Sequence, residues 1–311
     1  MFDQKFIDDL NHSLINKGDY LFHRNNNLLK GLFKLFENVE YVKTPIKYKI
    51  KGYSFGDMKA LISSAFLDID ERLYNRLERM FNNPDYHHNV FYDKSDNRYG
   101  DNSCGTHGDG VHVNITFDNT ARGLLTVGHE YVHAIGGRNV KKIKPKEDSI
   151  GEIESLFMEK VLADYFLKEG IIDKREYEMF KSERNNSFIN DLNFVLENER
   201  ILSSIQIPVT KEQLENLEQE LILEKDGEYV LKTLYNYPKE NKTSSCIARY
   251  IVGEMVASLL YEKYKMDKEG TMNKFIEFID NNEIYELEEA TRLLINKEPH
   301  EVLEYIIQRT R

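Results

Sequence analysis

Residues 126–135 constrain the fold of this chain more than any other segment of its sequence. They read Thr-Val-Gly-His-Glu-Tyr-Val-His-Ala-Ile, and the residues that flank the two histidines and Glu130 are all uncharged. A helix at the protein surface would carry Lys or Glu at several of these positions. The pattern therefore predicts a buried helix, in which two imidazoles and a carboxylate are costly unless a partner satisfies them.

His129 and His133 are four residues apart, so their side chains project from one helix face and can reach one metal ion. Glu130 lies one position round the helix, where it can contact a water molecule at the metal without being a ligand. A structural zinc site would need four protein ligands, often cysteines, and neither Cys104 nor Cys246 is nearby in the sequence. The pattern predicts one catalytic zinc ion, Zn(2+), per chain. The alternative is a buried helix with two hydrogen-bonded histidines.

The next helix along the chain should supply the third metal ligand, because its first half carries several glutamates. Glu152, Ser155 and Glu159 share one helix face, since they are spaced by three and four residues. Glu152 is the candidate ligand, and Glu159 could orient one of the ligand histidines from behind. Spacing alone leaves two alternatives open: Glu154 could be the ligand, or Glu152 could form a capping box with Ser149.

Hydrophobic periodicity predicts a mainly α-helical chain with a small β-sheet, an α+β fold. Helices are predicted at 55–79, with Ser54 as N-cap, and at 121–136, 149–169, 174–200, 210–223, 243–265, 268–280, 284–295 and 298–309. Strands are predicted at 89–92 and 111–117, on either side of a turn-rich stretch. We see no clear boundary, so we expect one domain over residues 1–311, with 1–40 as a candidate N-terminal helical extension.

Charge and cysteine content restrict the partners and the location of the chain. The net charge of the 311 residues is −11, and such an acidic surface repels nucleic acid and anionic membranes, so we expect neither as a partner. No apolar run approaches the ~18 residues of a membrane span. Two cysteines are too few to staple a secreted fold, and residues 1–6 form no apolar signal segment, so we expect a cytoplasmic protein. These features leave the oligomeric state open.

Together the motifs resemble the catalytic half of the thimet oligopeptidase and oligoendopeptidase F family of zinc peptidases. The shared pattern is a turn-rich segment at 100–110, a strand at 111–114, the His-Glu-x-x-His helix, and Glu-x-x-Ser followed by Glu at positions 152, 155 and 159. The resemblance implies a zincin-like metallopeptidase domain of the gluzincin type, with peptides as substrates. It also implies that Glu152, three residues before Ser155, is the third zinc ligand.

The family has a late helix beside its active site, with tyrosines that stabilise the transition state. Residues 247–264 resemble this helix, and Tyr250 keeps one of the tyrosine positions. Cys246 and Ala248 stand where other tyrosines are expected, and Tyr237 lies upstream. The resemblance therefore implies Tyr250 as the first candidate for holding the oxyanion and Tyr237 as the second.

The predicted reaction is hydrolysis of peptide bonds, in short peptides, with Glu130 as the general base. Strand 111–117 is expected to form the edge of the cleft, where an extended peptide adds by main-chain hydrogen bonds. His107, Gly110 and His112 would contact that peptide, and His107 is the third candidate oxyanion donor. Two alternatives stay open: a relative that binds zinc and peptides without turnover, and a dedicated protease that acts on one intact protein.

Overall fold

A computed structural model of the chain describes residues 2–17, 53–92, 102–107, 110–136, 150–204, 208–222, 243–281, 287–298 and 301–302. Within these ranges the description leaves out the side chains of 13–17, 106–107, 193–204, 220–222 and 243–249. Two predicted site residues are affected, because Tyr237 and the side chain of His107 lie outside the described part of the chain.

The described residues are mostly helical. The helices are α1 (Gln4–Lys17), α2 (Phe55–Ile69), α3 (Glu71–Phe81), α4 (Ala121–Ile135), α5 (Ile153–Lys168), α6 (Lys174–Ser204), α7 (Lys211–Ile222), α8 (Thr243–Met266), α9 (Lys268–Asp280) and α10 (Leu287–Ile295). Three strands lie between α3 and α4 in the sequence: β1 (Tyr86–Phe91), β2 (Ser103–His107) and β3 (Gly110–Thr116). The prediction of a mainly α fold with a small sheet is confirmed. No described helix is both long enough and apolar enough to cross a membrane.

The three strands form one sheet in the order β1-β3-β2, with β1 parallel and β2 antiparallel to β3. Val113 of β3 lies opposite His88 on one side and Cys104 on the other. The central position of β3 contradicts the prediction that strand 111–117 forms the edge of a cleft. Its main-chain groups are hydrogen-bonded on both sides, so a peptide has no unpaired edge to join there.

The long helix predicted at 55–79 is two helices, because Asp70 interrupts it. Asp70 has an extended backbone (φ −164°, ψ 116°) and is both the C-cap of α2 and the N-cap of α3. Its carboxylate accepts a hydrogen bond from the amide of Arg72, which competes with a continuous helix. The predicted N-cap is confirmed: Ser54 and Asp57 form a capping box at the start of α2.

Helix α4 lies where the sequence predicts it, and it is buried almost along its whole length. Thr120 caps its first turn by accepting a hydrogen bond from the amide of Gly123 at 3.0 Å. Gly128 faces α5 so closely that a Cβ atom there would lie 2.5 Å from Leu162 Cδ1. The absence of a side chain at Gly128 therefore lets α4 and α5 pack close together next to His129.

The contacts divide the chain into two compact units. The first comprises Met1–Tyr41, Phe188–Ile251 and Leu303–Arg311, and the second comprises Val42–Ser187 and Val252–Val302. The first unit has its own apolar cluster, formed by Phe2, Ile7, Leu10, Val209 and Leu214. The second unit contains the sheet and helices α4 and α5. This grouping does not test whether 1–311 folds as one catalytic domain with 1–40 as an extension, which stays a prediction.

Candidate metal centre

Three buried side chains from α4 and the start of α5 converge on one point. His129 Nε2 lies 3.1 Å from His133 Nε2 and 3.3 Å from Glu152 Oε2, and the distance from His133 Nε2 to Glu152 Oε2 is 3.2 Å. The exposed fractions of the three residues are only 7%, 8% and 4%. Among the described residues, they are the group of His, Cys, Asp and Glu side chains that could hold a metal ion.

The geometry of these three residues fits a tetrahedral metal. Zinc binds histidine nitrogen and carboxylate oxygen at about 2.0–2.1 Å, which separates neighbouring ligand atoms by about 3.3 Å. His129 Nδ1 is hydrogen-bonded to Glu159 Oε1, and donation of the Nδ1 proton leaves the lone pair on Nε2. Electron-rich atoms that face one another at this distance in a buried site require a cation between them or protons on the imidazoles. The fourth position of a tetrahedron would stay open to water, as in catalytic zinc sites.

Two further carboxylates lie behind the histidines. Glu159 Oε1 is 2.6 Å from His129 Nδ1, which is a short hydrogen bond between a carboxylate and an imidazole. Glu154 Oε1 is 3.6 Å from His133 Nδ1, which is too long for a hydrogen bond. The sequence left Glu154 and Glu152 as rival ligands. The position of Glu154 beside Nδ1, on the outer side of His133, favours Glu152.

Glu152 is the N-cap residue of α5, so the helix starts later than the predicted residue 149. Its side chain makes no capping hydrogen bond, and its backbone is helical in conformation (φ −106°, ψ −2°). Ser155 Oγ donates to Glu152 Oε2 at 3.2 Å, which holds the carboxylate toward the histidines. The capping box with Ser149 falls outside the described residues, but a helix that begins at Ile153 does not place Glu152 in the N3 position such a box requires.

Glycine 253 of α8 lies directly against Glu152. A Cβ atom at Gly253 would lie 2.9 Å from Glu152 Cβ and 3.1 Å from Glu152 C. Real side chains do not come this close, so a glycine is required for α8 to pack against the backbone that presents the carboxylate. Gly253 therefore helps to set where Glu152 stands.

Burial and the neighbouring charges shift the pKa values of the metal-site groups in opposite directions. Burial would lower the pKa of His129, but hydrogen bonds to Glu152 and Glu159 outweigh it and raise that pKa to about 9. Burial also opposes a charged His133, and the carboxylate of Glu152 raises its pKa well above the ordinary value. Burial would raise the pKa of Glu152, but the two histidines lower it well below its usual range. In the absence of a metal, protons at this site therefore favour the imidazoles over the carboxylate of Glu152.

Glu130 is buried next to these residues. Its exposed fraction is 5%, and its Oε2 atom has no hydrogen-bond partner among the described residues. Burial raises the pKa of its carboxyl, although the nearby charges of His129 and His133 oppose that shift. A carboxylate with a raised pKa and an unused oxygen can take up a proton, which is what a general base requires.

The thiol of Cys104 on β2 lies near Glu130 and Glu154. Burial, followed by the charges of these two carboxylates, raises the pKa of the thiol well above its ordinary value. The thiol is therefore neutral at physiological pH and is a weak nucleophile. A reaction with Cys104 as the nucleophile is therefore disfavoured.

The two tyrosines predicted to hold an oxyanion keep their roles as predictions. Tyr250 is a half-buried residue of α8 and belongs to the first unit, whereas the metal-site residues belong to the second. Tyr237 lies outside the described residues.

His112 lies on the face of the sheet that points away from α4. Side chains alternate between the two faces of a strand, and His88 of β1 contacts Tyr131 of α4 with a ring distance of 6.0 Å. His87, on the opposite face, stacks with the ring of His112 at 4.6 Å, and Asn89 Nδ2 is 3.3 Å from His112 Nδ1. The predicted role of His112 in binding substrate is not tested by this position.

Gly110 begins β3 with a positive φ of 146°, which a residue with a side chain rarely adopts. A Cβ atom there would lie 2.1 Å from the backbone oxygen of Asp85. These observations explain why a glycine stands at this position without assigning it to substrate. The substrate-binding roles predicted for Gly110 and His107 therefore stay predictions.

Sequence reasoning missed the contact of Arg184 with Glu159 and the place of Glu154 behind His133. The signal for Glu154 was present, because a buried helix that carries three glutamates within eight residues needs a reason for each. Arg184 gave no such signal, because α6 carries charged residues throughout. Its contact is visible only in the folded chain.

Two solved structures share the fold of this chain. One is described as an oligoendopeptidase F from Bacillus anthracis str. Ames, with a TM-score of 0.55 at 10% sequence identity. The other is PZ peptidase A with an inhibitor, with a TM-score of 0.55 at 11% identity. The chain has the fold of these peptidases. The likeness supports the family resemblance of the motifs at the level of the fold, and identities this low show the fold alone.

The match covers 99% of this chain but only 55% and 58% of the two solved chains. The chain therefore spans a little more than half the length of each of them. No family model and no curated protein sequence matches the chain.

Proposed function

We propose that this chain is a zinc metalloendopeptidase that hydrolyses peptide bonds in short peptides. The observation that carries the proposal is the convergence of His129 Nε2, His133 Nε2 and Glu152 Oε2 at 3.1–3.3 Å, with the buried carboxylate of Glu130 beside them. The shared fold with two peptidases supports it. Zinc is the metal we propose, because two imidazoles and one carboxylate in an open tetrahedral arrangement are the ligands of many catalytic zinc sites.

Zinc in such a site acts as a Lewis acid and makes water nucleophilic near neutral pH. In the proposed reaction, Glu130 accepts the proton of the attacking water and later delivers it to the leaving amine. Glu159 holds the Nδ1 proton of His129, which keeps Nε2 directed at the metal position. Tyr250, and after it Tyr237 and His107, are the proposed donors to the oxyanion.

We propose that the peptide adds to the outer edge of β2 instead of β3. Among the described strands, β2 pairs on one side only, with β3. Its Cys104 lies close enough to Glu130 for the carboxylate charge to affect the thiol. Main-chain hydrogen bonds along such an edge recognise extended peptides with little dependence on their sequence.

We also propose a cytoplasmic location, because the chain contains few cysteines.

Two alternatives stay open, and a specific observation favours the first. Cys246 and Ala248 stand at positions where the family has tyrosines, which would suit a relative that binds zinc and peptide without turnover. The second alternative is a dedicated protease that acts on one intact protein. Retention of Glu130 favours the catalytic reading over the first alternative, because a binding protein has no need of a general base.

The deciding experiment measures zinc content and peptide cleavage in wild type, Glu152→Ala and Glu154→Ala. We expect one zinc per chain in wild type and chelator-sensitive cleavage of a quenched fluorescent peptide. Glu152→Ala should lose the zinc, because it removes a ligand atom. Glu154→Ala should still bind stoichiometric zinc, with an affinity weakened by at most about 10- to 100-fold, as is typical when an outer partner of a ligand is lost.

The measured zinc content and cleavage distinguish the proposed function from its alternatives. Zinc that is lost in Glu154→Ala but kept in Glu152→Ala would make Glu154 the ligand. Zinc binding without cleavage of any short peptide, but with cleavage of a folded protein, would support the dedicated protease. A wild-type chain that binds no metal even when zinc is supplied would contradict the proposal and return both histidines to the core.

A further inference from the structure

Arg184 of α6 contacts the carboxylate that supports His129. The two carboxylate oxygens of Glu159 contact different partners: Oε1 lies 2.6 Å from His129 Nδ1, and Oε2 lies 3.2 Å from Arg184 Nε. Arg184 also approaches Glu254 of α8, with 3.8 Å between Nη2 and Oε2. Lys160 forms a hydrogen bond with the other oxygen of Glu254 at 2.5 Å. Charged groups from three helices thus meet behind one candidate metal ligand.

The contact with Arg184 fixes the plane of the Glu159 carboxylate. Glu159 is only 6% exposed, so an oxygen that lost its partner there would be left without water to replace it. The guanidinium of arginine is planar and donates in fixed directions, whereas a lysine ammonium acts as a point charge. With Oε2 held by Arg184, Oε1 stays in line with His129 Nδ1. A carboxylate that rotated would loosen the ring whose Nε2 faces the metal position.

The charge of Arg184 matters for the same reason. Four glutamates, at positions 130, 152, 154 and 159, are buried around the two histidines, with exposed fractions between 1% and 6%. Arg184 Nε lies 3.2 Å from Oε2 of Glu159, so a positive charge stands beside this buried carboxylate. The other oxygen of Glu159 lies at hydrogen-bond distance from His129 Nδ1, which is the usual place of an outer carboxylate in a metal site.

We propose that Arg184 is a positioning residue of the metal site, which acts through Glu159 to hold His129 in the orientation and tautomer that bind metal. The inference rests on the proposed function, because it needs His129 to be a metal ligand. It assigns a role to a residue that lies 51 positions beyond His133 in the sequence and on a different helix.

The test measures the zinc dissociation constant of the full chain by competition with a chromophoric chelator, without peptide. Arg184→Met should weaken zinc binding by about 10- to 100-fold, the usual loss for an outer partner of a metal ligand. Arg184→Lys should recover part of that loss, because it restores the charge but not the fixed direction of the Nε donor. Should Arg184→Met not fold, Arg184→Lys decides alone, and wild-type affinity in that variant would overturn the proposal.

Arg122→Met is the matched control. Arg122 also joins two helices through a glutamate of α6, with 3.4 Å between its Nη1 and Glu183 Oε2, but its ion pair is with Glu183 and not with Glu159. Its side chain is half-exposed, so the loss of its ion pair should leave zinc affinity within about twofold of wild type. A second comparison uses Glu159→Gln: if Arg184 acts through Glu159, Arg184→Met should add little to the loss already caused by Glu159→Gln.

Where Arg184→Met folds, two results would overturn the inference: wild-type zinc affinity in that variant, or a loss of affinity from Arg184→Met that is as large in Glu159→Gln as in wild type. These results are distinct from failure of the proposed function. Zinc binding that depends on Arg184 in a chain that cleaves no peptide would uphold the positioning role and contradict the peptidase. Peptide cleavage in a chain whose zinc affinity does not depend on Arg184 would support the peptidase and contradict the positioning role.

Discussion

At the scale of single residues, Glu130 stands in an unfavourable place for stability. One oxygen of this buried carboxylate has no hydrogen-bond partner in the part of the chain that the structure describes. That costs folding free energy, because water solvates the oxygen in the unfolded chain. Burial also raises the pKa of the carboxyl, because the charged form is harder to bury than the neutral form. Groups kept in spite of such a cost are typical of sites that do chemistry.

Glu130→Gln should separate stability from activity. The amide is nearly the same size and carries no charge, so we expect zinc to stay bound and the melting temperature to be equal to wild type or higher. Peptide cleavage should fall by about 10²- to 10⁴-fold, because the general base is gone. Zinc content, thermal unfolding and cleavage rates of the same samples would check this.

Glu183→Gln serves as the control for Glu130→Gln. Glu183 is also buried, with an exposed fraction of 6%, but it pairs with Arg122. Loss of a paired charge should not raise the melting temperature, and cleavage should stay at the wild-type rate. Full activity in Glu130→Gln would mean that another group takes the proton.

At the scale of elements, the candidate metal site depends on how closely three helices approach. Helix α4 carries both histidines, and α5 carries the candidate third ligand together with the two carboxylates behind the histidines. Glycines permit the close contacts, at Gly128 between α4 and α5 and at Gly253 between α8 and Glu152. The site is therefore built from the spacing between backbones as much as from its side chains.

Gly253→Ala should weaken zinc binding without a change in any side chain of the site. The new methyl group would meet the Cβ and backbone of Glu152, which cannot swing aside as a flexible side-chain end would. We expect Glu152 to shift, zinc affinity to fall, and overpacking to lower the free energy of unfolding by about 1–3 kcal/mol. Chelator competition and denaturant unfolding would measure both effects.

Gly56→Ala is the matched control for Gly253→Ala. Gly56 also lies in a helix, α2, and a Cβ atom there meets only Ser54 Oγ at 3.6 Å, an ordinary contact. Alanine should leave zinc affinity unchanged and raise the stability slightly, because it favours helix more than glycine does. Equal zinc affinity in Gly253→Ala and wild type would show that α8 does not set the position of Glu152.

At the scale of the whole molecule, the charges of the candidate metal site link folding stability to pH. The pKa of His129 rises from 6.5 to about 9 when the metal-free chain folds. A group whose pKa is raised by folding stabilises the protein fully below its unfolded pKa. That contribution is lost as the pH rises through the folded pKa. In the zinc-loaded chain the imidazoles would be neutral, because the metal takes the place of the Nε2 proton, so the dependence of stability on pH should have the opposite sign.

We therefore expect the stability of the chelator-treated protein to fall as the pH rises from about 6.5 to 9. With zinc at a fixed free concentration, stability should instead rise over the lower part of this range, because zinc replaces protons that the unfolded histidines still bind. Thermal unfolding with and without zinc, across this pH range, would measure both curves. Parallel curves would show that His129 does not exchange its proton for a metal.

The sequence by itself determined the parts of this protein that depend on local spacing. The apolar residues around His129 predict helix α4, and the helix predicted at 268–280 is α9 (Lys268–Asp280). Both predictions hold because the helical repeat is a property of neighbouring residues. The common face of His129 and His133 follows from the same repeat. Their role as metal ligands stays a prediction, although the structure brings their Nε2 atoms together.

Only the tertiary structure decided the features that join distant parts of the chain. Strand β2 reads as a turn, with few residues that favour strands, and it is a strand because it pairs with β3. Packing also places Glu152 and Glu154 on different sides of His133. The central position of β3 and the contact of Arg184 with Glu159 likewise appear only in the folded chain. Spacing in the sequence fixes which side chains share one helix face, whereas the meeting of two faces depends on how closely their backbones can approach.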